Sequence, residues 1–540
     1  MFTKKRIQMT EGAPEKPTSA PRTRDASRPS LRYFKQDSNA QRKEDVRVPS
    51  EESDPPIVVR DGRTDHTAKG RAEGQRRQST HARERNAPKQ RVSRTLAALA
   101  RKAKSEKKHR FRSLYRLIDL QMLYESFSSL KKKASPGVDG VTYEDYQKNL
   151  DENLRSLHRR LIAKRYRAQS VKRRYIPKVG SSKLRPLGIP SLEDKIVQHA
   201  ASQILESIYE QDFSDRSIGY RKGKPGAREA GRQLTQDLDS GTYRWIVEAD
   251  IRSFFDDVDH KWLVRMLEQR IRDRAFVGLI VKWLKAGVLE PGNEKPDRPE
   301  SGTPQGGLVS PILANIYLHY VLDLWIERVV SKKSQGKVIF MRYADDKVVG
   351  FEYKRDAEAY LEALKSRLAK FSLRLAEEKS SLVKFNRWEP DDSGKFTFLG
   401  YDFYWSRTRK NPNHKMIQRR TNKKKYRAAL AAMKDWLKKQ ARNWPMRLIL
   451  SSLRARLRGY WNYYAVISNS TMTWRYHAQV MRLVYKWLNR RSQRQSFGWQ
   501  KFTRLWVNEW QIPAPRCVET PQRMNRRQEE AELAPSMITV

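Results

Sequence analysis

Two adjacent aspartates interrupt an otherwise apolar stretch of the sequence at residues 337–351. On either side of Asp345 and Asp346 the chain is rich in β-branched and aromatic residues, which is typical of β-strands. Two such runs joined by a short polar segment predict a β-hairpin with both carboxylates at or beside the turn. Because aspartate tolerates the tight backbone of a turn, the pair alone would indicate only an ordinary hairpin tip.

A third carboxylate follows a second predicted strand. Asp250 lies near the end of a short, mostly apolar run at residues 245–251. A strand that delivers one carboxylate beside a hairpin that delivers two makes an oxygen-rich pocket suited to a pair of Mg²⁺ ions. Two such ions, roughly 3.5–4 Å apart, stabilise both the attacking and the leaving oxygen of an in-line phosphoryl transfer. The chemistry to test is therefore nucleotide polymerisation.

The charge balance of the chain indicates a polyanionic partner. The formal net charge of +50 over 540 residues exceeds what solubility needs, and RNA or DNA is the leading candidate. The single Cys excludes an intramolecular disulfide framework and a Cys-rich zinc site. No apolar run approaches the roughly 20 residues needed to cross a bilayer, and the first residues lack the apolar core of a signal peptide. We therefore expect a cytosolic protein without a membrane partner.

Periodicity and turn signals predict the elements around the three acids. The expected elements are a helix at 143–164, a basic hairpin at 172–190, a helix at 192–209, an amphipathic helix at 357–375, a strand pair at 396–403 and a further helix capped by Asp259. Within the basic hairpin, Lys178 and Arg185 are the cations best placed to clamp a triphosphate. A basic surface hairpin that binds no ligand is the alternative.

Five short motifs follow one another along the chain. They are SPGVDG at 135–140, RPLGIP at 185–190, GTPQGG at 302–307, YADD at 343–346 and FLG at 398–400. In this order they resemble the successive blocks of group II intron reverse transcriptase/maturases. One block alone would be a weak signal, whereas five in order are highly specific. Residues 457–465 and 487–499 are similar to the maturase-specific segment of that family, so the resemblance covers roughly residues 110–505.

The resemblance implies roles for individual residues. It implies that Asp250, Asp345 and Asp346 are the catalytic carboxylates and bind two Mg²⁺ ions. Phe255 corresponds to the bulky residue that crowds a ribose 2′-hydroxyl and so favours deoxynucleotides. The other implied nucleotide-binding residues are Lys178, Arg185, Gln305, Gly306 and Lys379. The implied primer contacts are Phe398, Leu399 and Gly400. Lys379 matches a family lysine that protonates departing pyrophosphate, although a lysine after two glutamates is also a common helical ion-pair pattern.

The C-terminal region combines cations with aromatic rings. From Ile417 onward, Lys and Arg alternate with Trp and Tyr along helical patterns. We expect most of the rings in the core of a helix bundle. The cationic faces between them suit a structured RNA, because its phosphates attract positive charge and its splayed bases stack on aromatic rings. The arginines assigned to RNA binding are Arg454, Arg456, Arg458, Arg490 and Arg491.

The resemblance implies an α+β fold of the right-hand polymerase type, with an antiparallel palm and a helical thumb. The expected divisions are a disordered basic tail at 1–95, N-terminal helices and fingers at 96–245, the palm at 246–406, a thumb or maturase domain at 415–510 and a C-terminal tail at 511–540. The tail at 1–95 either contacts nucleic acid loosely or is a solvated extension. The implied partners are an RNA template, a DNA or RNA primer, dNTPs and group II intron RNA, in the bacterial cytoplasm or on the nucleoid.

Two other functions stay open at this point. The chain could be an RNA-binding splicing factor with little polymerase activity, although the three intact aspartates argue against this. It could also be a reverse transcriptase that serves host defence or repair without an intron, and group II intron RNA domains in the flanking DNA would separate these cases. Longer family members carry a His- and Cys-bearing endonuclease domain after the maturase segment. Here only Cys517 follows, so autonomous second-strand cleavage is not expected.

Overall fold

The structure is a computed structural model, and it describes residues 91–177, 184–224, 226–297, 300–303, 306–389, 391–407, 411, 413–491 and 496–519. Residues 1–90 of the predicted basic tail lie outside the described residues. The last five residues of that tail, 91–95, are helical. No helix in the described part of the chain is both long and apolar enough to cross a membrane.

The described residues form both helices and strands, as the predicted α+β class requires. The α-helices are α1 (91–105), α2 (Leu120–Ser129), α3 (Tyr143–Lys148), α4 (Leu150–Ile162), α5 (Leu192–Tyr209), α6 (Ala227–Leu238), α7 (Phe254–Asp257), α8 (His260–Leu267), α9 (Arg274–Leu284), α10 (Ser310–Leu318), α11 (Ser331–Lys333), α12 (Lys354–Lys370), α13 (Lys423–Asn443), α14 (Met446–Tyr464), α15 (Ser470–Asn489) and α16 (Trp499–Arg504). The strands are β1 (Val171–Pro177), β2 (Leu184–Ile189), β3 (Trp245–Ala249), β4 (Ile251–Arg252), β5 (Val288–Leu289), β6 (Val338–Tyr343), β7 (Asp346–Phe351), β8 (Arg374–Leu375), β9 (Ser381–Lys384), β10 (Phe396–Phe398), β11 (Tyr401–Arg407) and β12 (Lys415–Thr421).

A four-stranded antiparallel sheet with the order β6-β7-β3-β9 positions the three aspartates. Strands β6 and β7 form the predicted hairpin, and the pairing of Tyr343 with Asp346 leaves a turn of two residues between them. Strand β3 runs antiparallel to β7 and ends at Ala249, opposite Lys347. The end of β3 therefore lies beside the hairpin turn.

The central sheet packs on both faces because apolar side chains alternate along each strand. One face contributes Val247, Phe340 and Val349 to the main hydrophobic core, which also contains α5, α8, α9 and α10. The opposite face contributes Ile246 and Met341 to a second core shared with α6 and β11. Both faces of the sheet therefore pack against other elements, and the three aspartates lie at the ends of its strands near the hairpin turn.

Three smaller sheets flank the central one. Strands β1 and β2 form the predicted basic hairpin, and β5 pairs with β1 in parallel. Strands β10, β11 and β12 form an antiparallel sheet that includes the predicted strand pair. This sheet continues across the expected end of the palm at residue 406, because β11 pairs along its length with β12. Strands β4 and β8 form a two-stranded sheet next to Asp250.

Several predicted helices are confirmed and two need correction. The structure confirms a helix at 192–209, and the Asp259 side chain accepts a hydrogen bond from the amide of Trp262 at the start of α8. The predicted single helix at 143–164 is two helices, α3 and α4, since Asn149 has a non-helical backbone between them. The helix predicted to reach 375 ends at Lys370, because the following residues turn back and pair as β8 with β4.

The C-terminal helices α13, α14, α15 and α16 share a hydrophobic core of their own. Trp436, Trp461 and Trp487 are buried in it, as predicted, whereas Trp474 is 52% exposed. The helical pattern expected from Ile417 onward is wrong for its first residues, which belong to β12.

Part of the predicted C-terminal tail is built into the fold. Within the described part of that tail, residues 511–519, the carbonyl of Pro513 accepts a hydrogen bond from the Trp461 indole. Glu519 is buried and accepts a hydrogen bond of 3.2 Å from Arg419 on β12. These contacts tie the segment to both α14 and the β10-β11-β12 sheet.

Candidate active site

The three predicted acids lie together at one edge of the central sheet. Asp250 lies between β3 and β4, Asp345 is the second residue of the β6–β7 turn, and Asp346 begins β7. The first turn residue, Ala344, has a left-handed backbone with φ 58°, as two-residue hairpin turns require. The structure thus confirms the predicted hairpin, with Asp345 in its turn and Asp346 beside the turn.

A cavity of about 580 Å³ opens at this edge, and Asp250 and Asp345 both line it. Asp346 is not among its lining residues and remains solvent-accessible beside it. Four sequence-predicted nucleotide-binding residues line the same cavity: Arg185, Phe255, Gly306 and Lys379. The structure therefore brings predicted residues from five separate segments of the chain to one site.

Electrostatic repulsion among the acids indicates that the site favours a cation. The pKa of Asp346 is raised, first by desolvation from the surrounding protein atoms and then by the negative charges of Asp345 and Asp250. Carboxylate oxygens are hard ligands that suit Mg²⁺. Over the described residues, no group of three or more His, Cys, Asp or Glu is arranged to hold a metal ion. Asp250 and Asp345 are the two aspartates that line the cavity, and their carboxylates are of the type that binds Mg²⁺.

Lys379 contacts the first of these acids. Its Nζ lies 2.7 Å from Oδ2 of Asp250, and this hydrogen bond is the largest cause that raises the pKa of Lys379. Lys379 therefore forms its ion pair with an acid that is distant in sequence, and not with an acid of its own short helix. Glu377, in that helix, forms an ion pair with Lys365 at 3.4 Å. The ammonium occupies a carboxylate oxygen that a metal ion would use, and it would have to release that oxygen when a metal binds.

A buried lysine beneath the site was missed by sequence reasoning. Lys347 follows Asp346 on β7, and its Nζ donates a 3.0 Å hydrogen bond to the carbonyl of Ala249. Burial lowers the pKa of Lys347 to about 8, against the opposing effect of the three aspartates. The available signal was a cation inside an otherwise apolar strand, which is an unusual position for a lysine.

A buried arginine holds the hairpin turn from the same face of the sheet. Arg342 on β6 donates to both oxygens of Asp323 at 2.7 and 2.6 Å, and its Nη1 donates to the carbonyl of Ala344 at 2.9 Å. The same nitrogen donates to Oδ1 of Asn315 at 3.0 Å. Asp323 ends a π-helical segment, His319–Asp323, that continues α10. Nothing in the sequence pattern predicts this irregular helical register.

The glycine-rich loop and the basic hairpin form the opposite wall of the cavity. Gly306 has φ 118°, and a Cβ there would lie 2.4 Å from the carbonyl oxygen of Gly188, so only glycine allows β2 to approach this closely. Phe255 lies on α7, and its carbonyl accepts a 2.8 Å hydrogen bond from the amide of Thr303. The predicted contacts Lys178 and Gln305 lie outside the described residues.

The predicted primer contacts form the turn between β10 and β11. Leu399 and Gly400 both have positive φ, 51° and 80°, and the hydroxyl of Tyr463 donates to the Leu399 carbonyl at 2.8 Å. The side chain of Phe398 is buried in the second core, so it cannot touch a primer directly. A contact at this turn would involve the backbone of Leu399 and Gly400.

The five predicted RNA-binding arginines differ in their surroundings. Arg454 donates a 3.1 Å hydrogen bond to the carbonyl of Trp510, and Arg456 lies over the ring of Trp436 at 4.6 Å. Arg490 lies over the ring of Trp487 at 5.3 Å. Arg454 is half-buried, and the other four predicted arginines are exposed: Arg456, Arg458, Arg490 and Arg491.

Comparison with known proteins identifies the family. A family model described as reverse transcriptase (RNA-dependent DNA polymerase) matches residues 176–403. The group II intron-encoded protein LtrA of Lactococcus lactis subsp. cremoris is 30% identical over 457 residues, which cover 69% of this chain and 74% of that protein. Protein YkfC of Escherichia coli (strain K12) is 34% identical over 311 residues, which cover 52% of this chain and 79% of that protein.

A plant protein extends the similarity to maturases. Nuclear intron maturase 2, mitochondrial, of Arabidopsis thaliana is 28% identical over 189 residues, which cover 27% of this chain and 25% of that protein. The match to the reverse transcriptase model spans the described residues of the site, and the match to LtrA covers 69% of the chain. The chain therefore belongs to the family of group II intron-encoded reverse transcriptases with maturase function, and it is an RNA-directed DNA polymerase.

Proposed function

We propose that the cavity lined by Asp250 and Asp345 is the polymerisation site, where dNTPs are added to the 3′ end of a primer paired with an RNA template. One observation carries this assignment. Two carboxylates from separate elements, the end of β3 and the β6–β7 turn, line the same cavity as the basic hairpin and the glycine-rich loop. A nucleotide needs this combination, because its triphosphate carries negative charge that must be neutralised.

Two Mg²⁺ ions are the proposed cofactors. When bound, they would stabilise the attacking 3′ oxygen and the leaving pyrophosphate oxygen. Asp250 and Asp345 supply the anionic oxygens that would hold the two ions. Asp346, the first residue of β7, adds a third carboxylate beside them. Lys347 offsets part of the repulsion among these acids, because its charge lies beneath all three of them.

Lys379 is the proposed acid for the leaving group. Its ammonium is already at the site through its contact with Asp250, which raises its pKa and keeps it protonated at neutral pH. After release from Asp250, the same ammonium can donate a proton to the departing pyrophosphate. Arg185 on the exposed face of β2, together with Lys178, would bind the triphosphate from the opposite wall.

Phe255 is the proposed selector of the sugar. It lines the cavity next to Asp250, and its backbone is fixed by the hydrogen bond from Thr303. An aromatic ring at this position leaves no room for a ribose 2′-hydroxyl, so discrimination follows from shape and not from charge. Gln305 and Gly306 would contact the nucleotide and the template, and the Leu399–Gly400 turn would guide the primer.

The domain arrangement proposed for this chain is that of a right hand. Fingers at 96–245 and a palm at 246–406 would be followed by a thumb at 415–510, and the β10-β11-β12 sheet would cross the palm boundary into β12. The helices α13, α14 and α15 form a separate hydrophobic core with exposed arginines on its surface. This supports binding of the primer–template and of group II intron RNA by the thumb, because phosphate contacts supply most of the affinity for nucleic acids.

Primer extension on an RNA template in Mg²⁺ tests the assignment. Asp250→Asn and Asp345→Asn each keep the side-chain shape and remove a hard anionic ligand, so the extension rate should fall by about a thousandfold or more. The matched control is Asp435→Asn on α13, an exposed acid outside the cavity. Extension at close to the normal rate by either active-site variant would contradict the two-metal site.

A further inference from the structure

Tyr220 is an exposed aromatic residue in the candidate active site to which sequence reasoning assigned no role. It lies in the loop between α5 and α6, its side chain is 55% exposed, and it lines the same cavity as Asp345 and Arg185. Its backbone is left-handed, with φ 59°. A tyrosine in this conformation is strained, and such strain is concentrated at functional sites. Within the described part of the chain, its hydroxyl makes no hydrogen bond.

The loop around Tyr220 is held firmly on both sides. Before it, the amide of Ile218 donates to the carbonyl of Arg342 at 2.9 Å. After it, the buried guanidinium of Arg221 donates to Glu210 at 2.9 Å and to the carbonyl of Ser214 at 2.6 Å. The strained residue is therefore fixed by its neighbours, while its own ring contributes little to the hydrophobic core.

The loop and the turn that carries Asp345 form one rigid unit. Nδ2 of Asn315 donates to the carbonyl of Gly219 at 2.8 Å, and its Oδ1 accepts from Arg342. The same guanidinium holds the carbonyl of Ala344. A Cβ on Gly219 would lie 2.3 Å from the amide nitrogen of Ala344, so the two backbones are in direct contact. The backbone that carries Tyr220 is thus held at a fixed position relative to the turn that carries Asp345.

Tyr220 lines the cavity together with the proposed reacting groups, and it interacts electrostatically with two of them. The pKa of Tyr220 is raised, first by partial desolvation and then by the carboxylate of Asp345, while Arg185 opposes this effect. Tyr220 therefore shares one cavity with an acid that would bind a metal and a cation that would bind phosphate. A nucleotide that contacts both groups would bring its base close to this ring.

We propose that the ring of Tyr220 stacks on a nucleobase at the polymerase site. The base belongs either to the incoming nucleotide or to the end of the primer–template, and both offer the same flat aromatic surface. Every base has such a face, so this contact is independent of sequence. The inference rests on the proposed polymerisation site, because it takes the position of the substrate from Asp345.

The test compares four variants of one residue. Tyr220→Phe and Tyr220→Trp keep an aromatic face, whereas Tyr220→Ala and Tyr220→Gly remove it. Glycine is the informative variant, because it relieves the left-handed strain while it deletes the ring. If the ring contacts no base, Tyr220→Gly should bind substrates normally, whereas loss of a stack should weaken binding even though the strain is relieved. The matched control is Tyr353→Ala, an exposed tyrosine that does not line the cavity.

Two constants are measured for each full-length variant. The first is the Kd of a primer–template with 2-aminopurine at the primer end, measured by fluorescence in EDTA, where no chemistry occurs. The second is the KM for dNTP in single-nucleotide extension. Removal of the ring should raise one of the two constants by about 5- to 150-fold, as expected for the loss of one base–aromatic stack. A change in Kd would assign the stack to the primer–template, and a change in KM to the incoming nucleotide.

Three results would overturn the inference. The first is that neither constant changes more for Tyr220→Gly than for Tyr353→Ala. The second is that Tyr220→Phe is as defective as Tyr220→Ala, which would assign the role to the hydroxyl. The third combines two measurements. If Tyr220→Gly weakens binding but also lowers the thermal midpoint as much as Tyr220→Ala does, the ring has a structural role. The fluorescence measurement needs neither metal nor catalysis, so it remains informative even if Asp345→Asn extends primers normally.

Discussion

Arg342 and Asp323 form a buried ion pair directly beneath the turn that carries Asp345. The side chains are 1% and 0% exposed, and the two hydrogen bonds between them measure 2.7 and 2.6 Å. The guanidinium also holds the carbonyl of Ala344, the residue with left-handed backbone at the start of the turn. The pair therefore links a π-helical segment after α10 to the geometry of the candidate metal site.

This relationship predicts that stability and activity can be separated. Arg342→Met leaves the buried Asp323 without its two guanidinium hydrogen bonds and should lower the free energy of unfolding by about 3–5 kcal/mol. Adding Asp323→Leu removes the unpaired charge and should restore most of that free energy. Primer extension should stay impaired in the double variant, because the Ala344 carbonyl still lacks its donor. Urea unfolding and extension rates measure the two effects, and full activity of the double variant would show that the turn holds its shape without Arg342.

His319, one turn before Asp323, predicts how the same region responds to pH. Burial lowers the pKa of His319 to about 4, although Asp323 opposes this effect. The unfolded chain binds a proton near pH 6.5 that the folded chain does not, so stability should fall as the pH falls from about 6.5 to 4. The slope is about 1.4 kcal/mol per pH unit for one group.

Urea unfolding at pH 7 and pH 5 measures this dependence. His319→Gln should reduce the loss of stability between the two pH values, because glutamine does not titrate. The control is His414→Gln, which replaces an exposed histidine. An unchanged pH dependence in His319→Gln would assign the acid sensitivity to other groups.

The three acids could be predicted because each interrupts or ends an apolar strand pattern, and strand periodicity survives in the fold. The residues that support them could not all be found this way. Lys347 was visible as a charge in a buried strand, but its partner, the carbonyl of Ala249, is on another strand. Asp323 depends on π-helical turns that no local pattern specifies. Tyr220 lies in a loop whose conformation is set by contacts with Asn315 and Arg342, which are distant in sequence.

The errors in element boundaries have a common cause. Residues 371–375 fit the apolar spacing of the preceding helix, yet Leu375 pairs with Ile251 as a strand. Residues 417–421 have a cationic pattern that also suits a helix, yet they complete the sheet begun by β10 and β11. In both cases a pairing partner more than ten residues away in sequence overrides the local preference.

Phe255 provides a prediction about sugar selection. Phe255→Ala should open space for a 2′-hydroxyl and raise ribonucleotide incorporation relative to deoxynucleotides by about tenfold or more. Phe255→Tyr keeps the bulk and should remain selective. Single-nucleotide kinetics with dNTP and rNTP measure the ratio. If the alanine variant discriminates as well as the wild type, Phe255 serves packing against Phe254, whose ring centroid is 5.2 Å away.

The thumb arginines separate RNA binding from chemistry. Arg458 is exposed on α14 and, among the described residues, forms neither a hydrogen bond nor an ion pair with another side chain. Arg454, one turn earlier, donates to the carbonyl of Trp510 and so has a structural role. Arg458→Gln keeps helix propensity while it deletes the charge. It should weaken binding of group II intron RNA and reduce the slope of log K against log salt by about 0.7–0.9 for the lost phosphate contact.

Arg454→Gln is the matched variant for this measurement, because it should lower the thermal midpoint, whereas Arg458→Gln should not. Extension of a generic primer–template by Arg458→Gln should be less affected than splicing assistance if the arginine contacts the intron. Equal losses of both activities would indicate a general role of the thumb in holding nucleic acid. If neither activity nor the salt slope changes, Arg458 belongs to a solvated helix face, and the intron contact must lie among the other exposed cations, starting with Arg490 and Arg491.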